Sequence, residues 1–253
     1  MKPVKFVRSL LRKIGVDVVR YDKEKKWPYD FEKEDIELFK SVQNYTMTSP
    51  ERVYALENAV SYLVKNNIPG AMVECGVWKG GSSMVIAKTL LKLKCVEREI
   101  YLYDTFEGMS APTSADICYT NIPAQLEFSE KKYSDNSSSW CYACLDEVKS
   151  NIYNTGYPKD KVHFVKGKVE NTIPATIPTE IALLRLDTDW YESTKHELDN
   201  LFPRLVEKGV VIIDDYGYWQ GAKKAVDEYI EEKQIPILLN RIDHTGRIAI
   251  KLR

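Results

Sequence analysis

A chain of 253 residues suits one α/β domain with a terminal extension better than two domains. Hydrophobic residues make up 44%, which excludes a disordered chain, and a formal net charge of -1 gives no global signal for nucleic acid. No apolar run approaches the roughly 20 residues of a membrane span, Lys5 and Arg8 break the first apolar cluster so that no secretory signal is read, and a reducing, cytoplasmic setting is expected for the five cysteines.

Residues 1–30 form a basic extension whose Val4, Val7, Leu10, Leu11 and Ile14 recur at helical spacing. Two readings stand: an amphipathic helix resting through residues 1–25 on an anionic membrane surface, or a helix packed on the domain or a partner subunit. The rest, 31–253, reads as the working domain. FEKEDIELFKSVQ (31–43) is helical, and a second helix follows Pro50, with Thr48 and Glu51 at capping-box spacing. Strands and helices then alternate. Strands are expected at Ala71–Cys75, Glu99–Asp104, Lys161–Lys166, Ile181–Asp187 and Gly209–Asp214. Helices are expected at Ser83–Leu93, Leu145–Tyr153, Ser193–Val206 and Gln220–Glu232. This alternation predicts a doubly wound, mostly parallel sheet with helices on both faces. Ile235–Leu239 and Arg247–Leu252 read as strands too close in sequence for a parallel crossover, so they pair antiparallel. Cys141 and Cys144 read as two positions on one face of a helix starting near Trp140, rather than as half a zinc site. Residues 107–139 are polar, without clear period, and leave the carboxyl end of a strand. They read as a substrate lid.

Three constellations carry chemistry. VECGVWKGGSS (73–83) joins a strand to a helix; its glycines allow close backbone approach, and the helix offers free N–H groups to an anion. With Glu74 beside them to accept from an ammonium group, they suit an amino-acid zwitterion such as the methionine end of S-adenosylmethionine. Asp104 ends the second strand, where an acid can bind both ribose hydroxyls. Asp187, Asp189, Asp214 and Asp215 cluster at neighbouring strand ends, and carboxylates without His or Cys favour a hard ion, magnesium first. Such an ion would orient an acceptor hydroxyl and lower its pKa, leaving a base to take the proton. Asp189 is the candidate. His196 is an alternative expected on a solvated face, and His163 and His244 read as structural. Trp190, Tyr191, Tyr216, Tyr218 and Trp219 flank the acids and could pack on a sugar, although at least two are expected to be spent on packing.

Together VECGVWKGGSS, LYDTFEGM, CYACLDEV, VHFVKGKVE, LLRLDTDWYEST and GVVIIDDYGYWQGAKKAVDEY resemble the macrocin O-methyltransferase family (the TylF type), from about residue 45 to the C-terminus, with the basic leader outside the likeness. The resemblance implies a seven-stranded class I methyltransferase sheet, Rossmann-like, with an antiparallel last strand. It implies magnesium at Asp187, Asp214 and Asp215, Asp189 as base, and S-adenosylmethionine contacts at Glu74, Gly76, Ser82 and Asp104, with Thr46, Met47 and Lys168 in addition. It also implies a homo-oligomer and an acceptor hydroxyl on a sugar, a glycosylated natural product or a surface glycan, next to a second oxygen. Some relatives carry a catalytic histidine in the lid; residues 107–139 contain none. The competing reading is a metal-dependent glycosyltransferase using the D-x-D at 187–189; a non-catalytic binding module is a third.

Overall fold

Which strands lie at the centre follows from which segments are apolar throughout. The computed structural model describes residues 11–13, 15, 27–135 and 137–252. Most of the basic extension, and with it the amphipathic reading of residues 1–25, lies outside the described residues. The chain divides into Met1–Glu37 and Leu38–Arg253. In the first unit Asp35 accepts from the Glu32 N–H at 2.8 Å, at the start of the helix α1 (Lys33–Val42). All that follows concerns the second.

Its elements are α2 (Pro50–Lys65), β1 (Ala71–Cys75), α3 (Gly81–Lys92), β2 (Ile100–Asp104), α4 (Ala124–Lys131), β3 (Lys132–Ser134), β4 (Ser137–Ser138), α5 (Leu145–Tyr153), β5 (Val162–Lys166), α6 (Val169–Thr172), β6 (Ile181–Leu186), α7 (Tyr191–Leu201), β7 (Leu205–Ile213), α8 (Gln220–Glu232), β8 (Asn240–Arg241) and β9 (Arg247–Ile250). Every residue of AMVEC in β1 and IALLRL in β6 is buried, as in strands covered on both faces. The seven-stranded sheet runs β5-β2-β1-β6-β7-β9-β8. The first five are mutually parallel, and β9 pairs antiparallel with both β7 and β8. The expected α/β class and antiparallel end are therefore present.

Side chains alternate between two cores. Met72, Ile100, Leu102, Leu183 and Ile212 pack with α2, α3 and α5, while Val73, Tyr103, Leu184, Val211 and Ile213 pack with α7 and α8. Burying each such large side chain contributes roughly 1.5–3 kcal/mol. Chain order reverses between β1 and β6, so the crevice beyond their carboxyl ends is the switch point where ligands bind in such sheets.

Three local expectations fail. Ser49, not Thr48, caps α2 by accepting from the Arg52 N–H at 3.2 Å, while Thr48 bonds Thr46. Residues 235–239 form no strand; Ile235, Ile237 and Leu239 alternate because they pack one side on the core, and pairing starts at Asn240. The Cys141–Cys144 segment is not helical: α5 begins at Leu145, and Cys141 has a φ of 50°. Residues 107–139 are not structureless. They hold α4, with Phe128 1% exposed, and the β3–β4 hairpin.

Candidate active site

The glycine turn after β1 is shaped by close backbone approach. Gly76 has φ 82°, and a Cβ there would lie 1.9 Å from the Asp187 carbonyl oxygen. Cys75 pairs with Leu186, and the Asp187 N–H bonds the Cys75 carbonyl at 2.9 Å. Leu186 pairs in turn with Ile213, so Asp187 and Asp214 follow directly from neighbouring strands. Asp187, Asp214 and Asp215 each bring one carboxylate oxygen within 4.8 Å of the others.

Two cavities share this floor. The larger, about 420 Å³, contains Thr46, Met47, Glu74, Ser82, Asp187, Asp189, Asp214 and Asp215 in its lining. The smaller, about 70 Å³, contains Gly76, Asp104, Lys168 and Asp187. Every site residue named from the sequence thus lines one or both. Asp104 is more engaged than expected. It accepts from the N–H groups of Val77 (2.7 Å), Trp78 (3.0 Å) and Phe106 (2.7 Å), tying the glycine turn to the start of the lid. Burial raises its carboxyl against the pull of those bonds.

Arg185 and Arg52 hold the acids, and neither was singled out in the sequence. Arg185, 3% exposed, donates from Nη1 to Glu74 (2.7 Å) and Asp187 (2.6 Å), and from Nη2 to Asp214 (2.6 Å). Glu74 also accepts from Ser83, so its carboxylate is shared between the cavity and this buried network. Removing such ions from water costs several kcal/mol each, offset only when every charge finds charge-assisted partners. Arg52 donates to Asp214 from Nη1 and forms an ion pair with Asp243, its Nε lying 3.0 Å from the carboxylate. A lone arginine inside the apolar run IALLRL was the available signal for Arg185; Arg52, on an ordinary helix 162 positions from Asp214, offered none.

Asp215 keeps one buried oxygen, Oδ2, without a hydrogen-bond partner. Burial, and then the Asp189 charge, raise its carboxyl well above the usual range. Asp189 sits at φ 68° and lines the same cavity as Asp215 and Trp219; burial pushes its carboxyl up to about 7. An orphaned oxygen among three carboxylates fits a hard divalent cation.

His196 is not solvated as expected; it is half-buried and bonds the Ile173 carbonyl at 3.0 Å. His163 stacks on Tyr101 and pairs with Glu99, a structural role. His244, expected to be structural and remote, is exposed and lines the larger cavity. Cys141 lines it too, with a thiol that burial pushes up to about 12, so it is no nucleophile. Trp190, Tyr191 and Tyr216 do not line the larger cavity, and their polar tips are engaged elsewhere. Trp190 donates to the Ser110 carbonyl, Tyr191 to Glu228 and Tyr216 to Asp227, whereas Tyr218 and Trp219 line the cavity. Trp140, Trp190 and Trp219 meet edge to face beneath the lid segment.

The macrocin-O-methyltransferase (TylF) family model matches residues 2–250, so the match takes in the basic leader that the motif likeness had left out. Among curated proteins, the chain is 32% identical over 203 residues to 8-demethyl-8-(2,3-dimethoxy-alpha-L-rhamnosyl)-tetracenomycin-C 4'-O-methyltransferase of Streptomyces olivaceus, covering 80% of this chain and 74% of that one. It is 31% identical over 202 residues to demethyldecarbamoylnovobiocin O-methyltransferase of Streptomyces niveus, with the same coverage. Among solved structures, the O-methyltransferase NovP superposes with a TM-score of 0.73 at 29% identity over 83% of each chain. The O-methyltransferase of Bacillus cereus in complex with SAH shares the fold, with a TM-score of 0.53 at 12% identity over 99% of this chain and 100% of that one.

Proposed function

The chain belongs to the macrocin O-methyltransferase family and is an S-adenosylmethionine-dependent O-methyltransferase, and from that premise we propose that it methylates a hydroxyl of a sugar or glycosylated small molecule, aided by magnesium. The observation that carries the metal part is the convergence of Asp187, Asp214 and Asp215, with the Asp215 Oδ2 buried and unpartnered. These three would hold the ion. When bound, it supplies a Lewis acid that orients the acceptor hydroxyl and lowers its pKa.

The residues themselves do the rest. Glu74, Ser82, Thr46 and Met47 in the larger cavity, with Gly76, Asp104 and Lys168 in the smaller, bind S-adenosylmethionine across the shared floor at Asp187. Positioning supplies much of the rate, because the acceptor oxygen must lie in line with the methyl group. Asp189 takes the hydroxyl proton at a carboxylate oxygen; its pKa of about 7 suits a base at neutral pH. The lid (107–139) shuts water out, anchored where Asp116 accepts from the Tyr191 N–H at 2.8 Å and Gln220 donates to the Cys118 carbonyl at 3.1 Å. Tyr218 and Trp219 offer rings to the sugar. The glycosyltransferase reading of Asp187-Thr188-Asp189 is not favoured: the curated relatives named above are O-methyltransferases, and Thr188 donates its hydroxyl to Glu197.

Homo-oligomer formation and a membrane contact through residues 1–25 complete the proposal; light scattering and liposome sedimentation of the full chain test them. No helix among the described residues is long and apolar enough to cross a membrane. The acceptor class is tested with labelled S-adenosylmethionine against vicinal-diol sugars, glycosylated natural products, nucleotide sugars and catechols. Label is expected on sugar hydroxyls; label confined to catechols contradicts the sugar assignment.

A further inference from the structure

A third cavity of about 250 Å³ adjoins the larger one, and Tyr218, Trp219 and His244 line both. Its other walls include Tyr119, Tyr216, Lys223, Arg241 and Arg247. Arg241 and Arg247 stand directly opposite each other across the β8–β9 pair. Like charges facing each other destabilise a strand pair unless something between them carries the opposite charge.

Among the described residues nothing does so. Asp227 is taken by Lys223 and by the Tyr216 hydroxyl. Asp243 is taken by Arg52, the Ser49 hydroxyl and the N–H groups of Thr245 and Gly246. Among the described residues no carboxylate pairs with Arg241 or Arg247. Arg247 is 8% exposed, lies over the Tyr216 ring at 4.9 Å, and points Nη1 at the carbonyls of Gly246 (2.8 Å) and Thr245 (3.2 Å). Burial first, and Arg241 next, work against its charged form. A buried guanidinium without a counter-ion is costly, and two such groups facing one space suit the oxygens of a phosphate.

The charge of the lining favours an anion. Lys223, Arg241 and Arg247 line this cavity, and only Lys223 among them is paired with a carboxylate, that of Asp227. A diphosphate esterified at both ends carries two negative charges. Tyr119 and Tyr218, 59% and 37% exposed, meet edge to face at 5.4 Å and give a remaining planar or apolar group a surface to rest on.

We propose that this cavity binds the diphosphate of an activated sugar, so that the sugar is methylated in the neighbouring cavity before a glycosyl-transfer step consumes that diphosphate. The inference rests on the reading of the larger cavity as the acceptor site. The diphosphate could be nucleoside-linked or polyprenyl-linked, since both present the same oxygens.

Full-length protein is titrated calorimetrically with UDP and with farnesyl diphosphate, in chelator so that no divalent ion bridges the ligand to the aspartates. SAH is titrated in parallel to report a folded cofactor site. Wild type is expected to bind at least one diphosphate, and Arg241→Ala, an exposed position, to weaken it about tenfold or more while SAH affinity is kept. Tighter UDP assigns the nucleoside source and tighter farnesyl diphosphate the polyprenyl source; either result supports the subsite. Diphosphate binding that is absent, or unchanged by Arg241→Ala, overturns it while bound SAH leaves the methyltransferase assignment standing. A wild-type chain that binds no SAH would instead count against that assignment.

Discussion

Arg185 holds Glu74, Asp187 and Asp214 together, so one side chain links the proposed cofactor wall to the proposed metal ligands. Arg185→Met would leave the buried Glu74 and Asp214 and the half-buried Asp187 facing one another, and breaking a buried pair of this kind costs about 3–5 kcal/mol. We expect the urea midpoint to fall accordingly, with Arg185→Lys recovering only part, because an ammonium group cannot fork between partners. Equal stability of wild type and Arg185→Met would show that the network contributes little. Asp189 is tested separately: Asp189→Asn should slow the chemical step about a hundredfold or more, with SAH binding kept. An unchanged single-turnover rate moves the base to another group. The acids of the site were legible because each ends an apolar strand, and strand ends at a switch point are where ligands gather. Their counter-charges were not, because Arg52 is joined to Asp214 and Asp243 only by folding.

Helix α7 starts two residues earlier than its own sequence suggests, because its cap comes from elsewhere. The Tyr191 N–H is satisfied by Asp116, 75 positions away in the lid, and Asp116 is fully buried. Gly221 permits this approach: a Cβ there would lie 2.3 Å from the Asp116 Oδ1. Strands β1, β2, β5 and β6, by contrast, were readable almost to the residue, as short apolar runs bounded by turns, whereas β7 begins at Leu205, inside the stretch read as the end of the preceding helix. The eight-residue α4 was not, because a helix so short takes its stability from one buried face, here Ala124 and Phe128, rather than from a visible repeat. Helix α7 also carries Glu197, fully buried, with Oε1 accepting from Thr188 at 2.9 Å and Oε2 unpartnered. Burial holds its carboxyl well above the ordinary value. The unfolded chain loses this proton near roughly pH 4.3 while the folded chain retains it, so stability falls as pH rises above that point, by up to about 1.4 kcal/mol per pH unit until the folded group also ionises. Glu197→Gln removes this dependence. Relative to wild type, the variant should gain thermal stability as pH rises above about 5; an offset that does not change with pH would contradict a raised Glu197.

At the scale of the whole chain, one topological fact organises the chemistry. Strand order reverses between β1 and β6, and the cofactor residues, the acid cluster and the anchored lid all meet beyond that reversal. The family, the fold class and the reaction class were readable before the structure, because VECGVWKGGSS and the two acidic strand ends recur in fixed order along the chain. The cavity around Arg241 and Arg247 was not, since it is assembled from the lid, the start of α8 and the last strand pair. The central claim is that a divalent cation at Asp187, Asp214 and Asp215 serves methyl transfer. Its most direct test is labelled methyl transfer by exhaustively chelated protein, before and after magnesium is restored, with Asp215→Asn alongside. Negligible turnover is expected after chelation, with recovery on adding magnesium in wild type and little recovery in the variant despite retained SAH binding. Turnover undiminished by chelation would contradict the claim.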